Sequence, residues 1–484
     1  MVGLISVITG LVFTLIVTRR LVPEEFGTWS LIGTMISYFL ISEAILDFWA
    51  IRQVARGENV GRTSLVSSLF FSFGAIPFYL LLAYVISGAS NANLDLLIFG
   101  SILVPVFFVS RILTQINTAH KPQKTSYSLL VFEVFKIPTA LALVYFLDLG
   151  VIGVIISIMI AYLIKIGVQI YFAKPKLKNK FNFSYLKRWI KLSWVALYSG
   201  FPRLINSLDV MFYTLITGSV IGIAFYSASL AIASLVLHSG LITQALYPKL
   251  LAKGSHEHIN ENFSLLMYVG IPLLGIAVVF SKPALFALNP AYLEGSLIVI
   301  ILAFKTFFLI LFKTVSKILV GIEEVDLVEN PKFSNLIKSK LFSVSTIRYI
   351  KTGTYLALMI TIVSLLHFSN YSELDLVIYW TITALIIEIP FFVYLWFFLK
   401  KNVEFSFPYK NTGKYIAATI AFVFVFMITS EYIITYHESI YDFLPLLIIE
   451  LIICIGVYLS ITYLIDNKTK ILFKSIIREL SSKE

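Results

Sequence analysis

The sequence predicts an all-α polytopic membrane protein of about 14 transmembrane helices, arranged as two pseudo-symmetric six-helix lobes plus two C-terminal helices. Three observations carry that reading. Apolar stretches of spanning length, about 20 residues each, recur from one end of the 484 residues to the other. Only 13% of the residues are charged, about half the share in an average soluble domain. Lys and Arg gather in alternate loops, as the positive-inside rule requires of a multi-span chain.

The spans are expected near 2–18, 28–50, 64–87, 96–117, 126–147, 150–172, 192–218, 221–247, 263–281, 295–319, 349–368, 376–399, 414–435 and 443–465. The first apolar stretch lacks a basic leader and is followed by Arg19 and Arg20, so it reads as a span and not as a signal peptide. Loops after even-numbered spans, with the C-terminal tail, hold 28 of the 38 Lys and Arg; loops after odd-numbered spans hold three. Both termini are therefore expected in the cytoplasm of a multi-pass cell-membrane protein. The organisation that follows is an N-lobe over 1–172, a basic cytoplasmic linker over 173–191, a C-lobe over 192–400, two further spans over 401–466 and a cytoplasmic tail over 467–484. Ile471, Leu472, Phe473, Ile476, Ile477 and Leu480 alternate with basic residues in that tail, the pattern of an amphipathic helix lying on a leaflet. The longest connection, 323–347, offers NLIKSKLFSV as a short interfacial helix.

Several classes of function are excluded. A net charge of +11 points to nucleic acid only when it is clustered on a folded domain, and here it is spread over short loops. The single Cys454 rules out an intramolecular disulfide and a cysteine-based metal site. No phosphate loop, zinc spacing or nucleophile elbow occurs in a connected loop, so no metal, cofactor or enzyme chemistry is expected. A polymerase or ligase needs a large outward loop for its catalytic groups, and none exceeds a dozen or so residues. Trp29, Trp49, Trp189 and Trp380 stand near span ends, where indoles anchor helices at the interface.

Span seven carries the strongest anomaly, with Arg203, Asp209 and a Gly-Phe-Pro sequence inside membrane-length apolar sequence. An ionisable group there costs at least about 2.5–3.5 kcal/mol, which makes both charges functional candidates. Pro202 is expected to kink this span near Gly200. Ser199, Arg203 and Asn206 recur at i, i+4 and i+7 and share one helix face. Lys136 lies halfway along span five, Lys305 in the outer half of span ten, and Arg111 deep in span four. These cations suit an anionic ligand, the guanidinium giving two parallel charged hydrogen bonds to a phosphate and the ammonium acting as a point charge. Among carboxylates, Glu43 and Asp47 stack at i and i+4 of span two, Glu133 and Lys136 can pair at i and i+3, and Asp209 and Glu388 have no sequence-local partner. Asp209, Glu43, Asp47 and Glu388 are candidates for H+ or Na+ coupling or for a charge network, with Asp209 and Arg203 expected in one network.

The two halves echo each other six spans apart, RRLVPEEFGTWSLIGTMISYFL after span one standing opposite TGSVIGIAFYSASLAIASLV after span seven. A repeat of six spans preserves orientation and puts a transport site at the interface of the halves. Three stretches, RRLVPEEFGTWSL, SLDVMFYTLITGSVIGIAFYSASLAIA, and ALYPKLLAK followed by YVGIPLLGIAVVFSKPALFALNPAYLEGS, resemble the polysaccharide-exporter branch of the multidrug/oligosaccharidyl-lipid/polysaccharide (MOP) transporter superfamily, the O-antigen-type lipid-linked oligosaccharide flippases. The resemblance covers most of residues 1–320. The N-terminus is several residues shorter and the 323–347 connection longer than the usual pattern. The resemblance implies a cation-lined amphipathic cavity meeting the diphosphate of a lipid-linked oligosaccharide, and alternating access of two lobes in a monomer whose partners are that lipid, the surrounding membrane lipids and H+ or Na+. The alternative is a cation-coupled multidrug exporter of the same superfamily, which calls for a cavity dominated by carboxylates.

Overall fold

The computed structural model describes residues 2–245, 257–323, 339–467 and 469–470. Every regular element among them is helical. Hydrocarbon offers no partner for a backbone N–H or C=O, so long apolar segments close their hydrogen bonds internally.

The helices are α1 (Val2–Arg20), α2 (Pro23–Phe39), α3 (Ala44–Ala55), α4 (Gly61–Ala89), α5 (Leu94–Gly100), α6 (Leu103–His120), α7 (Pro122–Ala140), α8 (Gly150–Ala173), α9 (Phe183–Lys191), α10 (Ser193–Thr217) and α11 (Ile221–Ala233). After them come α12 (Glu257–Val279), α13 (Ser281–Leu288), α14 (Ser296–Gly321), α15 (Lys340–Phe368), α16 (Glu373–Asn402), α17 (Tyr409–Ile433) and α18 (Ile440–Ile465). Eleven segments are long and apolar enough to cross a membrane, and the α2–α3 pair, taken together, is a twelfth. The other two expected spans correspond to α1, of 19 residues, and α10, of 25. The expected tail helix and most of the 323–347 connection lie outside the described residues.

Two compact units form: residues 1–228 with 352–380, and residues 229–351 with 381–484. In the first unit, α4 and α6 pack on α3. Leu46, Ala50, Val54, Ile112, Leu113, Ile116, Leu186 and Trp189 are buried in one apolar cluster there. In the second unit, α12 packs on α14 and α17, and α17 on α18.

The span expected to kink near Gly200 is one continuous helix, α10, which runs through Pro202 without a break. A proline removes one backbone donor, and its neighbours in a membrane helix can re-satisfy what is lost. The broken span is instead span two, where α2 and α3 meet at 61° across residues 40–43. Glu43 stands at that break as the N-cap of α3. Gly218 ends α10 with φ 66°, a left-handed conformation that glycine adopts without strain. Asn91 pins the turn after it, its N–H donating to Gly218 O at 2.9 Å and its Oδ1 accepting from Val220 N at 3.1 Å. Gly27 of α2 lies against the same turn so closely that a Cβ would sit 2.1 Å from Val220 O.

Candidate functional site

The first unit holds a cavity of about 160 Å³ whose lining is mainly apolar, with two arginines and two serines among it. Ser37 of α2, Leu40 and Ile41 of the break, Ala44 of α3, Arg111 of α6, and Gly200, Arg203, Leu204 and Ser207 of α10 line it. Positions 200, 203, 204 and 207 fall on one face of a helix, and of the stripe read from the sequence only Arg203 is among the residues that line the cavity. Asn206 is half-buried, and the Ser199 side chain lies outside the described residues. The Arg203 side chain is exposed and, among the described residues, has no ion-pair partner.

Arg111 is held differently. Its Nε donates to Asp47 Oδ2 at 2.6 Å. One turn earlier, Glu43 Oε1 accepts from Ser68 Oγ of α4 at 2.6 Å. The second oxygen of each carboxylate, Asp47 Oδ1 and Glu43 Oε2, is buried without a hydrogen-bond partner among the described residues. A buried acceptor left unmade costs about 1–3 kcal/mol, more when charged. Of these two acids one helical turn apart, Asp47 is the one that pairs with the guanidinium, and Arg111 also lines the cavity.

Lys136 stands in another setting. Its Nζ donates to Glu133 Oε2 at 2.5 Å, Thr9 donates to the same oxygen at 2.6 Å, and Ser6 Oγ donates to Oε1. The ammonium also lies 5.1 Å from the centroid of Phe132 and 5.6 Å from that of Phe13, within cation–π range. Both residues are buried. The i, i+3 pair read from the sequence exists, and α1 completes its hydrogen bonding.

Asp209, also buried, accepts from Tyr355 Oη of α15 at 2.6 Å and from Val210 N at 2.8 Å. Trp380 Nε1 donates to the same Tyr355 oxygen at 2.8 Å. The indole stacks on Tyr226 at 4.2 Å and on Tyr213 at 4.9 Å between centroids. Trp380 is therefore not an interface anchor but a fully buried part of this network; Trp189 is likewise buried and donates to Gln53 Oε1 at 2.9 Å. Local spacing could not have found Tyr355, which is 146 residues from Asp209.

In the second unit, Glu388 pairs with Lys351, whose Nζ donates to Oε1 at 2.7 Å and to Oε2 at 3.0 Å. Lys351 lies inside α15, is buried, and sits 3.9 Å from the centroid of Phe312. Lys305 and Arg348 are near enough to act electrostatically on Lys351, so two further cations lie near this ion pair. A second cavity in this unit, about 470 Å³, is apolar and lined by Met267, Ile271 and Leu274 of α12, Phe304 and Phe307 of α14 and Ile416 of α17, among others.

Just past α18, outside the spans, burial alone would raise Asp466. Hydrogen bonds from the Thr469 hydroxyl and N–H and from Tyr415, with Lys414 at 3.5 Å, outweigh it and hold the carboxyl below its ordinary value.

No family profile and no curated relative matches the chain. Solved structures do. A lipid II flippase MurJ in an inward closed conformation is matched over 98% of this chain and 98% of that one, with TM-score 0.68 and 16% identity. An inward-facing multidrug resistance MATE family transporter of the MOP superfamily is matched over 82% and 95%, with TM-score 0.59 and 13% identity. A MOP superfamily transporter from Pyrococcus furiosus, described by the reverse polarity of its binding pocket, is matched over 83% and 93%, with TM-score 0.53 and 13% identity. The chain is a multi-pass, all-helical membrane protein with the fold of the MOP-superfamily transporters. At these identities the likeness defines the fold, and function must be argued from the site.

Proposed function

We propose that the protein is a flippase that carries an isoprenoid-diphosphate-linked oligosaccharide from the cytoplasmic to the outer leaflet by alternating access of two lobes, for assembly of a cell-surface glycan. The carrying observation is Arg203, an arginine without an ion-pair partner among the described residues, lining one cavity with Arg111 and two serines. A guanidinium placed there fits a diphosphate and has no role as a structural pair. Arg111, tied to Asp47, is released when the substrate's phosphates replace that carboxylate. Such an exchange favours whichever lobe arrangement lets both arginines reach the anion, and a ligand shifts an equilibrium only by that differential affinity. The Lys351, Lys305 and Arg348 cluster is a second cationic station, and the apolar cavity between α12, α14 and α17 suits an isoprenoid chain. No bond is made or broken. The excess of basic loops predicts that both termini are cytoplasmic.

The test is reconstitution into vesicles with a fluorescent lipid-diphosphate oligosaccharide, following the label that becomes accessible on the far leaflet. Wild-type protein is expected to accelerate transfer and Arg203→Ala to abolish most of that acceleration. A second reading, a cation-coupled multidrug exporter, draws support from the MATE likeness and from the unpartnered oxygens of Glu43 and Asp47. Ion-driven efflux of an organic cation from the same vesicles, without lipid transfer, establishes it instead. Asp209 is assigned to H+ or Na+ coupling; unchanged transport by Asp209→Asn across both gradients removes it from that role.

A further inference from the structure

The segment joining α8 to α10 carries seven basic residues between Lys174 and Lys191 and no acidic one. A charge run of this kind on a linker is ordinarily a mobile, solvated strand, but here the chain is fastened to the first unit. Leu186 and Trp189, at i and i+3 of α9, are buried in the cluster with Leu46, Ile112 and Ile116. Trp189 Nε1 is bound to Gln53, and Asn182 N donates to Thr63 Oγ1 at 3.1 Å. Asn182 Oδ1 caps α9 by accepting from Ser184 N at 2.9 Å. The backbone at Lys176 runs so close to Gly61 that a Cβ there would meet its carbonyl at 2.5 Å.

With one face of α9 committed to the core, the rest is displayed. Lys174, Lys178, Lys180, Lys187, Arg188 and Lys191 are all exposed, and none has an ion-pair partner among the described residues. Exposed apolar side chains lie among them: Phe183 at 65%, Ile190 at 49% and Phe181 at 36%. Lys121 and Lys176 lie near enough to act on one another's neighbour His120, so the end of α6 extends the same basic field. Exposed aromatic and aliphatic groups interleaved with unpaired cations, on a membrane protein and at the ends of its spans, match an interfacial surface.

We propose that α9 and the strap before it form a docked platform for anionic phospholipid headgroups of the adjoining leaflet. The lysines and Arg188 meet the phosphates, and Phe181, Phe183 and Ile190 enter the boundary of the acyl region. Charge complementarity selects this occupant: six exposed cations with no ion-pair partner among the described residues call for anions from outside, and the apolar groups among them need a medium that a soluble acidic partner does not supply. The platform does not depend on which substrate is carried.

The test uses the full chain in lipid nanodiscs, with Cys454→Ala and Ile190→Cys leaving one thiol for an environment-sensitive fluorophore. Quenching is compared for spin-labelled phosphatidylglycerol and spin-labelled phosphatidylcholine at equal mole fraction. At low salt, phosphatidylglycerol is expected to quench at least about threefold more, and the excess should vanish in 1 M salt. Replacing Lys174, Lys178, Lys180, Lys187 and Lys191 together by Gln should remove the excess, whereas replacing all five by Arg should retain it, which separates lost charge from a lost fold. Equal quenching by the two lipids overturns the proposal. So does a label quenched by aqueous iodide and by neither lipid, which makes the face a dock for a soluble partner.

Discussion

Glu133 with Lys136 and Asp47 with Arg111 are both acid–base pairs inside spans of the same unit, yet they are built to opposite specifications. Glu133 receives Lys136, Thr9 and Ser6, and its cation is enclosed by Phe132 and Phe13. Among the described residues, Asp47 receives Arg111 on one oxygen and has no partner on the other, and Arg111 lines a cavity together with Arg203, which has no ion-pair partner among them. A saturated pair has nothing left to offer a ligand. An under-satisfied one holds hydrogen-bonding capacity in reserve, at a stability cost that a binding site can use. On the proposed function, the difference separates a helix staple from a station for cargo, although both look alike as charges in an apolar sequence.

The comparison breaks most directly at Lys136. Lys136→Met leaves Glu133 as an uncompensated buried charge and is expected to destabilise the protein by about 3–5 kcal/mol. Adding Glu133→Gln should restore most of that, as read from the unfolding midpoint in detergent. If Lys136→Met instead spares stability and abolishes lipid transfer, the staple assignment fails and Lys136 joins the transport site.

Arg203→Ala sharpens the contrast from the other side. Losing a charge-assisted contact of about 1.5–3 kcal/mol lowers flipping about tenfold to a hundredfold, while the unfolding midpoint stays within about 0.5 kcal/mol of wild type. Large destabilisation with proportionate loss of transfer places Arg203 among structural residues.

Asp47→Asn tests whether that carboxylate competes with cargo for Arg111. Tighter binding of a soluble diphosphate analogue, by a factor of about 3–10, is expected from removing one competing charge near a partly solvated pair. Unchanged affinity means that Arg111 never leaves Asp47.

Asp466 supplies a saturated carboxylate outside the spans, where pH can address it. Its carboxyl titrates below the ordinary value when folded, so it adds stability above the unfolded pKa of about 3.9 and loses it as pH falls through the folded value. Asp466→Asn is expected to cost about 1 kcal/mol at pH 7, with the gap to wild type closing below about pH 4. A gap that persists at low pH attributes the loss to packing rather than charge.

The candidate site was legible wherever helical periodicity carried it. Arg203 with its neighbours on one face of α10, the i, i+4 stacking of Glu43 and Asp47, and the i, i+3 pair of Glu133 and Lys136 follow from residue spacing alone. Partners from distant helices left no such trace. Lys351 reaches Glu388 across 37 residues and Arg111 reaches Asp47 across 64. The aromatic cage of Trp380 depends on Tyr213 and Tyr226 arriving from other helices, so a tryptophan near a span end reads as an anchor until packing shows it buried.

By itself the sequence determined the class, the spans and their register, because bilayer thickness and the need to satisfy every backbone group act on each segment locally. It also determined which residues are costly enough in hydrocarbon to demand a reason. Only the tertiary structure decided which costs are met by a neighbour and which stay open. It broke span two across residues 40–43, closed Glu133 with hydroxyls from α1, and set Arg203 in a cavity with no ion-pair partner among the described residues. Those outcomes depend on side chains that meet only when separate helices pack, and no local pattern encodes which helix will face which.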